Sequence, residues 1–193
     1  CVYYYLKSRK VLPHVIDFMG PCIMIKTEKV GFFDKLARPK KLLYAYASAG
    51  VLLTVICGVV VTVLFVVSGI LSLTVPTEPI PPQDLLLIPG LNSYVPSTFA
   101  VWFALVFAMV IHEAGHGIIS RVENMRVKST GLLTLIIPIG AFVESYGEDV
   151  EKARLGSKLR MFAAGITNNI VIGVLCLLLL AVFLGMAVPG DHP

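Results

Sequence analysis

Three long apolar runs dominate the pattern of hydrophobic and polar positions along this chain. The first extends from Leu42 to Val75, where 34 consecutive residues carry no charge. A bilayer core needs about 20 apolar residues in helical form, so we predict a transmembrane helix over 42–75. Two further apolar runs predict transmembrane helices over 99–120 and 161–187. The pattern therefore predicts an all-α polytopic membrane protein with about three transmembrane helices.

A fourth apolar stretch is too short to cross a bilayer. Residues 131–143 are apolar over 13 positions that include Pro138 and Gly140. Such a segment is tolerated at membrane depth only where protein or a water-filled cavity satisfies its backbone. We predict a short strand-like or re-entrant element here, while simple packing on the membrane surface fits the composition equally well.

The basic residues are concentrated in two of the segments that flank the predicted spans. All 16 Lys and Arg lie within 1–41, which holds nine, and 121–160, which holds seven. By the positive-inside rule we predict 1–41 as a cytoplasmic membrane-surface segment and 121–160 as a cytoplasmic loop. The proline-rich loop 76–98 and the tail 188–193 are then external. We interpret residues 1–6 as the possible end of a truncated upstream span.

The composition supports a membrane protein and argues against several other classes. The chain is 56% hydrophobic and 15% charged, whereas soluble domains have about 25% charged residues. The net charge of +4 comes from the basic flanks of the spans, so it gives no reason to expect nucleic-acid binding. The four cysteines form no CxxC pair, which argues against a disulfide framework or a cysteine zinc site. Because the chain starts at Cys1, we expect a fragment or a processed form.

The strongest chemical signal is the pentapeptide His112-Glu113-Ala114-Gly115-His116, inside the second predicted span. Histidines at i and i+4 lie on one face of a helix, where both can bind one metal ion, usually zinc. Glu113 is then a candidate general base for a zinc-bound water, whose pKa falls to about 7. Ionisable groups inside a span are costly and usually functional, so we predict a zinc site. The alternative is a structural polar cluster between helices.

A catalytic zinc usually has three protein ligands and one open position, and this sequence offers a poor choice for the third. Of the carboxylates in the cytoplasmic loop, only Glu144 directly follows the apolar segment and is placed to reach the metal. His14 and His192 lie outside the predicted spans. We therefore expect the third ligand beyond Pro193.

Four stretches of the chain resemble the site-2 proteases, which are intramembrane zinc metalloproteases, and look most like the archaeal and eukaryotic branch. They are residues 20–27, residues 86–92, the HEAGH motif with residues 137–144, and residues 160–169. The last of these is similar to the family's Gly-Pro-x-x-Asn segment, with Ile166 where the family frequently has proline. The combination of the four stretches makes the resemblance specific. Taken singly, no stretch except HEAGH would suffice.

The resemblance implies roles for particular residues. His112 and His116 would be zinc ligands and Glu113 the catalytic base, while Asn169 aligns with the family's asparagine near the active site. From composition alone, the better interpretation is that Asn168 and Asn169 hydrogen-bond a neighbouring helix. Residues 131–143 would correspond to a strand-like element whose edge an extended substrate can join by main-chain pairing.

The sequence thus predicts the N-terminal half of a zinc-dependent intramembrane endopeptidase. The family's third zinc ligand is an aspartate in an Asp-Gly motif on a later span, which this sequence lacks, and a PDZ-like domain commonly precedes that span. We expect a membrane-anchored protein substrate and the lipid bilayer as partners, in the plasma membrane of a prokaryote or an internal membrane of a eukaryote. Two alternatives stay open. One is another membrane HExxH peptidase, and the other is a non-catalytic membrane scaffold or metal-binding relative.

Overall fold

The structure is a computed structural model that describes residues 16–19, 22–74, 80–134 and 138–186. Three long helices and one antiparallel sheet make up most of this part of the chain. In chain order the elements are β1 (Ile16–Met19), β2 (Cys22–Thr27), α1 (Gly31–Leu36), α2 (Lys40–Thr74), a 3-10 turn (Pro82–Leu85), α3 (Phe99–Val122), β3 (Val127–Thr134), β4 (Pro138–Ser145), α4 (Gly147–Lys152) and α5 (Leu155–Met186).

Helices α2, α3 and α5 are long and apolar enough to cross a membrane, by length and composition. They are apolar around most of their circumference, and large side chains such as Leu73 and Phe99 are each 86% exposed. A helix that is hydrophobic on all sides is typical of a membrane span rather than of a soluble bundle. The prediction is confirmed in that three helices are long and apolar enough to cross a membrane.

The three long helices pack through small residues. Ala47 of α2 and Ala164 of α5 are each only 1% exposed. At Gly50 an added Cβ would overlap the side chain of Thr167, so α2 and α5 approach closely only because this glycine has no side chain. Small residues serve the same purpose at helix contacts in membranes, where van der Waals packing drives association.

One carboxamide links all three long helices. The Tyr46 hydroxyl on α2 donates to Asn168 Oδ1 at 2.7 Å. Asn168 Nδ2 on α5 donates in turn to the carbonyl of Ile111 on α3, at 3.0 Å. Asn168 therefore hydrogen-bonds its neighbouring helices, and its partner Ile111 directly precedes the HEAGH motif.

A four-stranded antiparallel sheet, in the order β1-β2-β3-β4, is the largest difference from the prediction of an all-α protein. The described residues are mostly helical, but the predicted strand-like segment over 131–143 forms parts of β3 and β4, and residues 135–137 between them lie outside the described residues. β2 adds a third strand from the basic N-terminal segment, with Lys26 opposite Gly131. A Cβ at Gly131 would overlap the Ile25 carbonyl oxygen, so glycine permits this close strand pairing.

The sheet lies against α3 and α1. Phe33 of α1 is 1% exposed and packs with Val30 and Val127, and Ile118 and Val143 complete this cluster. The ring of Phe33 also fills the space beside Gly117 of α3. This small core fixes the sheet beside the helical turn that carries the two histidines.

Ion pairs at the ends of the elements join α3 to α5 and the start of β3 to α4. Arg160 on α5 donates to Glu123 through Nε at 2.5 Å and through its terminal nitrogen at 3.1 Å. Arg126 makes the same two-pronged contact with Asp149, at 2.8 and 2.9 Å. Two-pronged arginine–carboxylate pairs fix geometry as well as charge, so both contacts orient the polypeptide next to the HEAGH turn.

Candidate metal centre and active site

His112, Glu113 and His116 lie on one turn of α3 and form a compact group. One potential ligand atom from each residue lies within 4.8 Å of the others, and the two imidazole centroids are 4.9 Å apart. All three side chains are half-buried. Among the described residues this is the one group of three or more His, Cys, Asp or Glu side chains placed to hold a metal ion.

His116 is oriented by a backbone carbonyl of α5. Its Nδ1 lies 2.7 Å from the Met161 carbonyl oxygen. A carbonyl only accepts, so Nδ1 carries the proton and Nε2 keeps its lone pair for a metal. Metal-binding histidines commonly donate their other ring nitrogen to such an acceptor, and His116 therefore fits a zinc site as it stands.

His112 has Asn169 as the partner of its second ring nitrogen, with His112 Nδ1 3.1 Å from Asn169 Nδ2. A histidine that binds a metal through Nε2 keeps its proton on Nδ1. The carboxamide oxygen of Asn169 can accept that proton after a half-turn of the terminal torsion, because an amide offers both a donor and an acceptor. The structure thus brings Asn169 to the candidate site, one helical turn after Gly165.

Gly165 on α5 forms a cradle for the two imidazoles. A Cβ at this position would lie 2.5 Å from His112 Nε2 and 2.7 Å from His116 Nε2. Both candidate ligand atoms therefore face the bare backbone of α5. On the neighbouring turn, a Cβ at Gly115 would lie 2.9 Å from the Ala164 carbonyl oxygen, so α3 and α5 are in backbone contact around the site.

Glu113 contacts the sheet rather than a second helix. Its Oε2 accepts a hydrogen bond from the backbone N–H of Val143 on β4, at 3.0 Å. β4 is an edge strand among the described strands, so this N–H points away from β3 and toward α3. The sequence placed the segment 131–143 near the active site only by resemblance, and the structure brings it into direct contact with the candidate base.

Glu144, the one internal candidate for a third ligand, points away from the histidines. It accepts hydrogen bonds from Lys128 Nζ at 2.7 Å and from Ser129 Oγ at 2.8 Å. Those bonds, Lys128 first, hold the pKa of the Glu144 carboxyl below its usual value. Successive side chains of a strand alternate between faces, and since Val143 faces α3, Glu144 faces the other side. His14 and His192 lie outside the described residues.

Three contacts in this site carry no signal that sequence reasoning can use on its own. The Met161 carbonyl and the Val143 amide are backbone groups, and every residue has such groups. Gly165 lies in the segment that resembles the family, but only the packing of α3 against α5 shows which glycine faces the imidazoles. The observed donor set fits zinc, which binds imidazole nitrogens and carboxylate oxygens in proteins.

Comparison with known proteins connects this site to a peptidase family. Residues 98–190 match the family model described as Peptidase family M50, a stretch that starts just before α3 and includes both histidines, Glu113 and Asn169. The chain is 33% identical over 104 residues to an uncharacterized protein of the archaeon Methanocaldococcus jannaschii. That alignment covers 53% of this chain and 27% of the relative, so the matched part spans about a quarter of the relative's length.

No solved structure matches this chain significantly. The family match therefore rests on the sequence of one segment, and the geometry of that segment agrees with it. The segment holds two histidines one turn apart, a glutamate between them and an asparagine beside the first histidine. Residues 98–190, nearly half of this chain, match the model of Peptidase family M50, the family of the site-2 proteases.

Proposed function

We propose that this protein is part of a zinc-dependent endopeptidase that hydrolyses a peptide bond of a membrane-anchored protein, close to the cytoplasmic side of the bilayer. One observation carries the proposal: Glu113, between two histidines that share a helix face, contacts β4, an edge strand among the described strands, at the Val143 N–H. A base, two metal-binding imidazoles and a strand edge for an extended substrate thus meet at one point. The family match over 98–190 supports the same reaction class.

His112 and His116 would hold the zinc ion through their Nε2 atoms, with Asn169 and the Met161 carbonyl as partners of the other ring nitrogens. A bound zinc ion supplies Lewis acidity, which polarises a carbonyl and makes a water more acidic. No further His, Cys, Asp or Glu among the described residues joins the group. We place the third ligand elsewhere in the protein, as a carboxylate.

Glu113 would take a proton from the attacking water and then donate it to the leaving amine. General acid–base catalysis of this kind contributes roughly 10²–10⁴-fold to the rate. The Val143 N–H donates a hydrogen bond to Glu113 Oε2 at 3.0 Å and so fixes the direction of the carboxylate. Val143 therefore acts as a positioning residue, since it holds the carboxylate toward the histidines through its backbone.

The edge of β4 would hold the substrate in extended form. Val143 and Ala141 face the same side of β4, and their backbone groups point away from β3, because the paired residue between them, Phe142, bonds to β3. A substrate helix keeps its peptide bonds hydrogen-bonded internally, so it must unwind before hydrolysis. Pairing with an exposed strand edge returns those hydrogen bonds to the unwound segment.

The site would open to the cytoplasm in a multi-pass protein. Arg121 lies in the last turn of α3, and with it seven of the 16 Lys and Arg fall within 121–160, as the positive-inside rule requires of a cytoplasmic loop. A cavity of about 550 Å³ adjoins Glu113 and His116 on this side, with Ser145 and Glu151 in its lining. It gives water a route to the site. Release of a regulatory domain from the membrane would be the biological output.

The test is Glu113→Gln in the protein expressed from its full parent gene and assayed with a membrane-anchored reporter. The reporter carries a helix-breaking Asn-Pro pair in its span, so that it unwinds readily. We expect the substitution to lower the cleavage rate by about 10²–10⁴-fold while zinc binding persists. Glu144→Gln, on the opposite face of the same sheet, is the matched control and should cleave at the wild-type rate.

Two results would contradict the proposal. If Glu113→Gln cleaves as fast as wild type, Glu113 is not the base. If the wild-type protein binds zinc and the reporter but cuts nothing, the non-catalytic scaffold is the better description of the protein.

A further inference from the structure

A second cavity adjoins Glu113 and is separate from the one that adjoins His116. Its volume is about 460 Å³, and it lies between the inner face of the sheet, α1 and α3. The strands contribute side chains at paired positions that share one face: Ile25 opposite Leu132, and Leu132 opposite Ala141. From the helices come Phe33 and Val110, with Glu113 at the end near the histidines.

The lining of this cavity is mostly apolar, and α3 forms one of its walls. Val110 precedes Glu113 by one turn of α3, whereas His116 follows it by one turn. The cavity extends from Val110 past Glu113 to Ala114 and Phe33, whereas the cavity beside His116 also has Ser145 and Glu151 in its lining. Pockets of this size with few polar groups are typical binding sites for apolar ligands.

We propose that this cavity is a specificity pocket, which binds a large aliphatic or aromatic side chain of the substrate next to the scissile bond. The inference rests on the proposed function and names the kind of residue that the same site prefers. The pocket would receive a residue that directly flanks the scissile bond.

The geometry of a strand explains why a side chain enters here. A substrate segment paired with the edge of β4 has alternate side chains on each face of the extended sheet. Those on the face shared by Ala141 and Val143 point toward α3, where the cavity lies. Ala141 puts only a methyl group between the strand edge and the cavity, so a bulky substrate side chain can pass over it.

The pocket adjoins the candidate base, so a side chain bound in the pocket would affect the rate of cleavage as well as the affinity for the substrate. Glu113 is part of the lining of both cavities. A side chain that fills the apolar cavity would therefore place the neighbouring peptide bond beside Glu113. Correct placement of a reacting bond within about 1 Å is worth on the order of 10²-fold in rate.

The test is Leu132→Trp, which fills the cavity, against Leu133→Trp as the matched control. The two residues are neighbours on β3, both half-buried, but Leu132 lines the cavity and Leu133 points to the opposite face. Cut sites in the reporter are first mapped by mass spectrometry with wild-type protein. Each of the two residues that flank the cut is then varied in turn from Gly through Ala, Leu and Phe to Trp.

We expect wild-type protein to cleave the Leu and Phe reporters at least about tenfold faster than the Gly reporter, the scale on which apolar pockets discriminate. Leu132→Trp should remove or invert this preference, and Leu133→Trp should keep it. Leu132→Ala enlarges the cavity and should shift the preference toward Trp, which keeps the test informative if the larger substitution impairs folding.

The outcomes separate this inference from the function on which it rests. No cleavage of any reporter by wild-type protein overturns the proposed peptidase and the pocket with it. Cleavage without a size preference, or an equal loss of preference in both tryptophan variants, overturns the pocket alone.

Discussion

Gly165→Ala is the sharpest test of where a metal would bind. The added Cβ would lie 2.5 Å from His112 Nε2 and 2.7 Å from His116 Nε2, whereas ordinary contacts between such atoms begin at about 3.5 Å. The imidazoles or the α5 backbone must therefore move by about 1 Å. A displacement of that size costs roughly 100-fold in activity, which is about 2.7 kcal/mol at 1.36 kcal/mol per factor of ten.

Zinc affinity is the direct readout, measured by competition with a chromophoric chelator on protein purified in detergent. We expect the dissociation constant of Gly165→Ala to rise by about 10–100-fold, the range seen when the surroundings of a metal ligand are disturbed. Gly173→Ala on the same helix is the matched control, because nothing lies within 4 Å of a Cβ there. It should bind zinc like wild type and gain about 0.5–1 kcal/mol of helix stability. If folded Gly165→Ala keeps wild-type zinc affinity, the imidazoles do not present Nε2 to a metal beside Gly165.

Two further predictions concern single hydrogen-bonding partners. Asn169→Leu removes the partner of His112 Nδ1 and should weaken zinc binding by about tenfold or more. Asn169→Asp still offers an acceptor to Nδ1 and should bind zinc like wild type. Equal zinc affinity in wild type and both variants would contradict the role of Asn169. Asp149→Asn removes a carboxyl whose pKa is lowered from 3.8 to about 2 by side-chain hydrogen bonds from Arg126. Because that pKa is depressed on folding, the stability it contributes is present above about pH 4 and is lost as the pH falls toward 2. Urea unfolding midpoints of wild type and Asp149→Asn should therefore differ at neutral pH and converge near pH 2, and a constant difference would refute this.

The helices and the HEAGH geometry could be predicted from the sequence because both depend on local spacing. A charge-free run as long as Leu42–Val75 leaves few structures besides a membrane-length helix. The i, i+4 spacing of His112 and His116 places both imidazoles on one face of any helix. The resemblance added Asn169, and the structure puts it 3.1 Å from His112.

The sheet could not be predicted in the same way because its pairings are distant in sequence. β2 pairs with β3 through residues such as Ile23 and Thr134, and short apolar runs do not by themselves distinguish strand from buried helix. The exclusion of Glu144 from the site follows from strand alternation, but only once Val143 is known to face α3. Sequence supplied the chemistry of the site, and its backbone contacts came from tertiary packing.

The hydrogen bonds of Asn168 have a consequence for how the metal centre assembles. Because one carboxamide joins Tyr46 on α2 to the Ile111 carbonyl on α3, none of the three helices can turn about its own axis without breaking a bond. Such bonds are hard to replace where no water competes. The rotational setting of α3, and with it the direction in which His112 points, is therefore fixed before any ion arrives. Metal binding then does not have to organise these helices, and the free energy of coordination is available for affinity.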